Sequence, residues 1–180
     1  MSRIDETMTF IPVRIAVLTV SDSRSPDEDR SGQVLVDRAL AAGHQIADRA
    51  LLPDERDRIA DRLRRWIADP EIDVVISTGG TGLTGRDVTV EAHRDVYEKE
   101  IEAFGTVFTM ISMDKIGTSA VQSRATGGVA GGTYLFALPG SPGACKDAWD
   151  GILSLQLDIR HRPCNFVEIM PRLTEHQRRK

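Results

Sequence analysis

The stretch DVVISTGGTG, from Asp73 to Gly82, is the part of the sequence that predicts the fold. Its first half is a short apolar run rich in β-branched residues, which is typical of a strand buried on both faces of a parallel sheet. The run passes directly into Gly79, Gly80 and Gly82, and glycine adopts the positive φ angles that tight turns require. Because a helical pattern follows, the glycines are predicted to lie at the carboxyl edge of an α/β sheet, where ligands bind.

Strands and helices alternate on both sides of this stretch. The further strand patterns occupy 14–20, 45–52, 126–129 and 133–138, and the helical patterns occupy 31–42, 55–68, 88–113 and 144–159. The 88–113 pattern predicts one long or broken helix with a weak point at Gly105, where Phe104, Phe108 and Met110 belong to the core or to a subunit contact. This alternation predicts an α/β sandwich with a mostly parallel sheet in a single domain.

Composition excludes several classes of protein. The 180 residues carry 27 acidic and 23 basic side chains, a net charge of −4, which disfavours a nucleic-acid-binding protein. No apolar run approaches the ~18 residues of a membrane span, and no secretory signal is visible. Cys145 and Cys164 are too few and too far apart for a disulfide framework, so we expect two free thiols and a cytoplasmic location. The basic cluster 177–180 is predicted to be a solvated tail.

The glycine loop has the composition of a phosphate cradle. It runs from Ser77 to Thr89, and its glycines let backbone amides approach an anion while its threonines offer hydroxyl groups. Two known motifs fit it less well. The dinucleotide fingerprint requires a strand soon after the helix, and the predicted helix continues to Met113 instead. A P-loop requires Lys and Ser/Thr where this chain has Arg86 and Asp87.

Asp87 is an unusual residue beside a phosphate cradle, because a carboxylate repels a phosphate. The pairing is sensible if a divalent cation lies between them. Asp87 could instead bind an amine or hydroxyl of the ligand, or cap the next helix. Asp22 and Asp54 also follow predicted strands, and Asp54 is additionally predicted to cap the helix 55–68. Since parallel strands end at one edge of a sheet, three converging acids favour a metal-assisted phosphoryl-transfer site.

Three motifs taken together resemble the molybdenum-cofactor biosynthesis family, which includes MoaB, MogA and the G domain of gephyrin. They are TGGTG at 78–82, RDVTxEA at 86–92 and LPGSP at 138–142. The segments IGTS at 116–119 and RPCNF at 162–166 resemble the MoaB branch in particular. The resemblance covers about 13–166 and leaves 1–12 and 167–180 as terminal tails. Val90 departs from the pattern, since much of the family has Pro there, and this affects rigidity rather than chemistry.

The resemblance implies a three-layer α/β/α fold that assembles as a homotrimer or homohexamer. It implies adenylyl transfer, in which the terminal phosphate of molybdopterin attacks the α-phosphorus of ATP and pyrophosphate leaves with Mg²⁺. Asp54 and Asp87 are the implied catalytic and metal-binding residues. The implied substrate-binding residues are Ser21, Asp22, Thr78, Gly79, Gly80, Thr81, Gly82, Arg86, Thr89, Glu91, Pro139, Gly140 and Ser141.

The implied partners are small-molecule substrates, further copies of the chain and, as candidates, other molybdenum-cofactor enzymes. Neither nucleic acid nor membrane is expected as a partner. The alternative hypothesis is a non-catalytic paralogue that binds molybdopterin or a nucleotide without turning it over. Arg86 is open to two interpretations, as a group that stabilises transition-state charge or as a surface residue.

Overall fold

The computed structural model describes residues 3–178 and shows a six-stranded mixed sheet at the centre of the chain. The strands are β1 (Arg3–Ile4), β2 (Arg14–Val20), β3 (Gln45–Leu52), β4 (Val74–Thr78), β5 (Lys99–Glu100), β6 (Thr126–Ala130), β7 (Thr133–Leu138) and β8 (His161–Arg162). The order in the central sheet is β3-β2-β4-β7-β6-β5. The first four strands are parallel to one another, and β6 is antiparallel to both of its neighbours, β7 and β5. The separate pair β1–β8 joins the two ends of the chain.

Helices cover both faces of the central sheet. They are α1 (Arg30–Ala41), α2 (Arg56–Ile67), α3 (Thr89–Arg94), α4 (Glu102–Ile116), α5 (Pro142–Ala148), α6 (Ser154–Gln156), α7 (Phe166–Ile169) and α8 (Glu175–Arg178). Along β2, Ile15 and Val17 join a core with α1, α4 and α5, while Ala16 and Leu18 join a second core with α2 and α3. The alternation of one strand between two cores confirms the predicted three-layer α/β/α sandwich.

The order of the strands fixes where a ligand site can form. The chain passes from β2 through α1 to β3 on one side, and then returns through α2 to β4 on the other side of β2. The carboxyl ends of β2 and β4 therefore flank a topological switch point, the usual position of ligand clefts in open α/β sheets. The loops after β3 and β7 begin at the same carboxyl edge of the sheet, because those strands are parallel to β2 and β4.

Two predicted helices differ from the structure. The 88–113 helix is in fact α3 and α4, and the break lies between them at β5 rather than at Gly105. Glu98 and Ile101 donate their backbone amides to carbonyl groups of β6, so this segment pairs with the sheet. The 144–159 helix runs instead from α5 through a π-helical segment, Trp149–Leu153, to the end of α6.

The remaining predictions concern the termini, the cysteines and the membrane. Both cysteines are free, with Cys145 buried and Cys164 exposed. No helix within the described residues is both long and apolar enough to cross a membrane. The limits 13–166 stay a prediction, and of the basic tail, Arg179 and Lys180 lie outside the residues that the structure describes.

Candidate functional site

A cleft of about 650 Å³ opens at the carboxyl ends of β2, β4 and β7. The predicted site residues that line it are Ser21, Asp54, Gly79, Gly80, Thr81, Gly82, Asp87, Pro139, Gly140 and Ser141. The rest of the lining is Val20, Arg24, Gln122, Ser123 and Pro142. The structure therefore brings together the strand-end loops that the sequence placed at one edge.

Two glycines of the loop are required by the backbone itself. Gly79 has φ +98° and Gly80 has φ +63°, a region that residues with a side chain rarely adopt. A Cβ on Gly79 would collide with the carbonyl oxygen of Val20, and a Cβ on Gly80 would collide with Asp54 Oδ1 and Thr89 Oγ1. Gly85, in contrast, has open space around the position of a Cβ. Close packing thus requires glycine at the start of the loop, at Gly79 and Gly80, but not at Gly85.

The same loop leaves hydrogen-bond donors available. Gly79 donates its amide to Leu138, and the carbonyl of Gly80 accepts from the amide of Thr89. Within residues 3–178, the amides of Gly80 and Thr81 have no protein acceptor. Backbone donors seldom stay unpaired away from water, so these two amides suit an anion bound in the cleft.

Asp54 faces the cleft rather than the helix that follows it. The predicted capping role is wrong, since α2 begins at Arg56 with Glu55 as its N-cap residue and no side-chain cap. The Asp54 amide instead donates to Asp22 Oδ1 at 3.0 Å. The pKa of Asp54 is raised, first because the carboxyl group is partly buried and then because the charges of Asp22 and Asp87 repel its own. A cation bound here would relieve that repulsion.

Asp87 is held in one orientation by its own loop. Its Oδ2 accepts the Thr84 amide at 2.8 Å and the Thr84 hydroxyl at 2.7 Å. Burial alone would raise the pKa of Asp87, but these hydrogen bonds, the Gly82 amide and the charge of Arg124 outweigh it, so the pKa is lowered. The side chain does not cap α3, whose N-cap residue is Val88. Of the interpretations open for Asp87, the structure thus disfavours the helix cap.

Thr89 has a hydroxyl oxygen close to the carboxylate of Asp54. Its Oγ1 is buried and has no hydrogen-bond partner among the described residues 3–178, and it lies against Gly80 together with Asp54 Oδ1. Residues 3–178 contain no group of three or more His, Cys, Asp or Glu side chains that would hold a metal alone. Mg²⁺ does not need one, because it is commonly bound by one or two carboxylates together with substrate phosphates. Asp54 and Asp87, which both line the cleft, fit that requirement.

Several predicted site residues support the cleft from outside its lining. Thr78 is fully buried, and its hydroxyl donates to the Pro139 carbonyl oxygen at 3.0 Å. Arg86 forms a bidentate ion pair with Asp22 at 2.8 and 2.9 Å, and 62% of its side chain is exposed. The Asp22 pKa is lowered, chiefly by hydrogen bonds from Arg86. This placement agrees with the interpretation of Arg86 as a surface residue.

Glu91 binds a residue that the sequence analysis missed. Its carboxylate forms an ion pair with Arg124. The hydrogen bonds from Arg124, and then its charge, lower the pKa of Glu91. Arg124 Nε donates to the carbonyl oxygens of Thr81 at 2.9 Å and Gly82 at 3.0 Å, and Nη2 donates to that of Asp87 at 3.3 Å. Arg124 therefore holds the glycine loop in place, and Glu91 neutralises the charge of Arg124.

One signal in the sequence could have located Arg124. The patterns at 126–129 and 133–138 predict a hairpin, and β6 is indeed antiparallel to β7. The start of an antiparallel strand lies at the edge where its parallel neighbours end. The segment before β6 therefore reaches this edge: Gln122 and Ser123 line the cleft, and Arg124 contacts the glycine loop. Arg24 lies in the loop after β2 and was missed because nothing local distinguishes it from the neighbouring polar residues.

Comparisons with known proteins agree with this architecture. A family described as "Probable molybdopterin binding domain" matches residues 16–158. Molybdenum cofactor biosynthesis protein B of Escherichia coli K12 is 50% identical over 157 residues, which cover 87% of this chain and 92% of that protein. A crystal structure of a molybdenum cofactor biosynthesis protein B superposes with a TM-score of 0.80 at 33% identity, covering 96% of this chain and all 100% of that one. The crystal structure of the tungsten cofactor synthesizing protein MoaB from Pyrococcus furiosus superposes with a TM-score of 0.71 at 34% identity. The match covers 79% of this chain and 91% of that one.

Proposed function

From the premise that this chain belongs to the molybdopterin-binding family of molybdenum cofactor biosynthesis proteins, we propose that it transfers an adenylyl group from ATP to molybdopterin. The family places the chain in molybdenum cofactor biosynthesis. The observation that carries the finer proposal is the joint presence, in one cleft, of the unpaired amides of Gly80 and Thr81 and the carboxylates of Asp54 and Asp87. A phosphate cradle beside two carboxylates suits a reaction between two polyanions.

The reaction needs positioning more than it needs a protein nucleophile. A terminal phosphate oxygen of molybdopterin forms a bond to the α-phosphorus of ATP, and the bond between that phosphorus and the β-phosphate bridging oxygen breaks. Pyrophosphate leaves with the electrons of the broken bond, and no proton has to be abstracted. The chain's task is to hold the two phosphates in line and to offset their charge. The cleft contains donors and acids for both purposes and requires no covalent intermediate.

Asp54 and Asp87 would hold Mg²⁺ in this proposal. When bound, Mg²⁺ supplies positive charge to the polyphosphate and to the departing pyrophosphate. Thr84 fixes the orientation of Asp87, and Arg124 fixes the backbone carbonyls of the loop. With ATP as co-substrate, the proposal implies a cytoplasmic location.

The direct test is an assay for pyrophosphate. Purified protein is incubated with molybdopterin and Mg-ATP, and we expect release of pyrophosphate in step with formation of adenylylated molybdopterin. Omission of molybdopterin should abolish the signal, which separates transfer from simple ATP hydrolysis. An established adenylyltransferase serves as the positive control. Absence of pyrophosphate beside an active control would contradict the proposal.

A binding experiment addresses the non-catalytic alternative. Calorimetry that shows tight molybdopterin binding, but no binding of Mg-ATP, would identify a binding module that hands its ligand on. Nucleotide binding that is indifferent to molybdopterin would instead identify a general nucleotide-binding scaffold. The proposal requires that both ligands bind to the same protein.

We also infer that the chain forms a homotrimer or homohexamer. Apolar side chains three residues apart, Val107, Met110, Met113 and Ile116, are exposed along α4, opposite the buried Phe104 and Phe108. Met110 is 63% exposed, and Val121, in the turn after α4, is 75% exposed. Exposed apolar patches on this scale mark interaction surfaces. A second copy is the occupant that the family resemblance implies.

Light scattering coupled to size-exclusion chromatography tests the assembly. Wild-type protein is expected to have three or six times the mass of one chain, which is 19.8 kDa. The double change Met110→Glu and Val121→Glu places two charges on the apolar surface and should give monomers. Leu40→Glu, at a 54% exposed apolar residue of α1, is the matched control. Wild-type protein that elutes as a monomer would contradict this assembly.

A further inference from the structure

Arg24 lies where the two glycine turns of the cleft meet. Its Nη2 donates to the carbonyl oxygen of Gly140 at 3.0 Å. Gly140 in turn packs against Gly79, since a Cβ on Gly140 would lie 3.1 Å from Gly79 Cα. Arg24 is half-buried and lines the cleft beside these turns. Its guanidinium group is therefore held at the junction of the loops that follow β4 and β7.

A buried polar network fixes the other side of this guanidinium group. Arg24 Nη1 donates to Ser31 Oγ at 2.8 Å. Ser31 lies beside Asp29, a carboxylate only 4% exposed that accepts from Thr19 Oγ1 at 2.7 Å and from Arg49 Nη2 at 2.9 Å. Burial would raise the pKa of Asp29, but these hydrogen bonds and the charge of Arg49 lower it. Because Arg49 already forms an ion pair with Asp29, that carboxylate does not neutralise Arg24.

Arg24 thus keeps both its charge and part of its hydrogen-bonding capacity. A guanidinium group has five N–H donors, and the two contacts described use two of them. Across residues 3–178, no carboxylate forms an ion pair with Arg24. The other two arginines near the cleft are neutralised, Arg86 by Asp22 and Arg124 by Glu91. An unpaired guanidinium group on a cleft wall is well suited to a bidentate contact with a phosphate.

The charges of the cleft are consequently divided between its two sides. Asp54 and Asp87 lie on the side of Gly80 and Gly82, where added Cβ atoms would contact Asp54 Oδ1 and Asp87 Oδ2. Two carboxylates there suit a phosphate that carries a cation. Arg24 lies on the side of Gly79 and Gly140 and forms no ion pair with a carboxylate among residues 3–178, which suits a phosphate without a cation. In the proposed reaction ATP arrives with Mg²⁺, and the pterin monophosphate does not.

We propose that Arg24 binds the terminal phosphate of the pterin substrate and so determines which of the two phosphorylated substrates occupies each side of the cleft. This inference rests on the proposed function for the identity of the ligand. Ser31 acts through Arg24 as a positioning residue.

The test measures binding of molybdopterin by calorimetry without ATP and without Mg²⁺. Arg24→Ala is expected to weaken binding about 10- to 100-fold, as expected for loss of a charge-assisted contact. Arg24→Lys should recover part of the affinity, because the charge returns without the planar fork. Inorganic phosphate should compete with molybdopterin in wild-type protein and much less in Arg24→Ala. Arg172→Gln removes the same charge from an exposed site on the far end of the chain and should bind as wild type does.

The outcomes separate this inference from the proposed function. Arg24-dependent binding in a protein that releases no pyrophosphate would support the inference and contradict adenylyl transfer. Normal turnover, with unchanged molybdopterin affinity and KM in a folded Arg24→Ala protein, would overturn the inference and leave adenylyl transfer intact. If Arg24→Ala does not fold, Arg24→Lys decides, because wild-type affinity and wild-type phosphate competition in that variant would also overturn it.

Discussion

Asp87→Asn is expected to lower the rate of pyrophosphate release by about 100- to 1000-fold, the effect typical of removing one group that stabilises transition-state charge. The amide is nearly isosteric with the carboxylate, and its oxygen still accepts from Thr84, so the loop should keep its shape. What is lost is the negative charge, and with it the attraction for Mg²⁺. The Mg²⁺ concentration for half-maximal rate should therefore rise, a change that damage to the fold alone would not produce.

Asp61→Asn provides the matched control for this experiment. Asp61 lies on α2, is 64% exposed and pairs with Arg64 one turn away, so its neutralisation removes an equal charge at little cost. Its rate and Mg²⁺ dependence should equal those of the wild type. Molybdopterin binding without Mg²⁺ should survive in Asp87→Asn, since the phosphate cradle remains. A folded Asp87→Asn protein with wild-type turnover would show that Asp87 does not serve the metal.

Gly79→Ala is expected to destabilise the protein by about 2 to 5 kcal/mol, combining backbone strain with overpacking. The residue has φ +98°, and the added methyl group would collide with the carbonyl oxygen of Val20. That carbonyl belongs to the last residue of β2, a strand paired with β3 on one side and β4 on the other, so it has little freedom to move. Urea denaturation followed by circular dichroism measures the change in the free energy of unfolding.

Gly85→Ala tests the same loop where the structure demands no glycine. Open space surrounds its Cβ position, and its φ lies outside the left-handed region. Its free energy of unfolding should stay within about 0.5 kcal/mol of the wild type, as for most surface substitutions. Equal effects at Gly79 and Gly85 would contradict the packing described for this loop.

The strands were predictable because their signal is local. The runs 14–20, 45–52 and 133–138 coincide with β2, β3 and β7 in the structure. An apolar β-branched run that ends in glycine or polar residues has few alternatives to a buried strand. The convergence of Asp54, Asp87 and the glycine loop then followed from the parallel direction of the strands. Most of the cleft lining could be named from the sequence for that reason.

The helix predicted over 88–113 failed because a distant segment competes for its backbone. Residues 98–101 pair with β6, and the ring of Tyr97 lies where a Cβ on Gly128 would be. Helical periodicity is a property of neighbouring residues and contains no information about a partner strand almost thirty residues away. The break between α3 and α4 is consequently a tertiary feature.

By itself, the sequence determined the layers of this protein and the loops that meet at one edge of its sheet, because burial patterns and glycine turns act over a few residues. Only the tertiary structure decided which charges serve that edge. Arg86 pairs with Asp22. Arg124 pairs with Glu91 and binds the loop carbonyls, whereas Arg24 keeps an unpaired charge in the cleft. Ion pairing joins residues far apart in the chain and depends on the distances between side chains, and these distances exist only once the sheet has assembled.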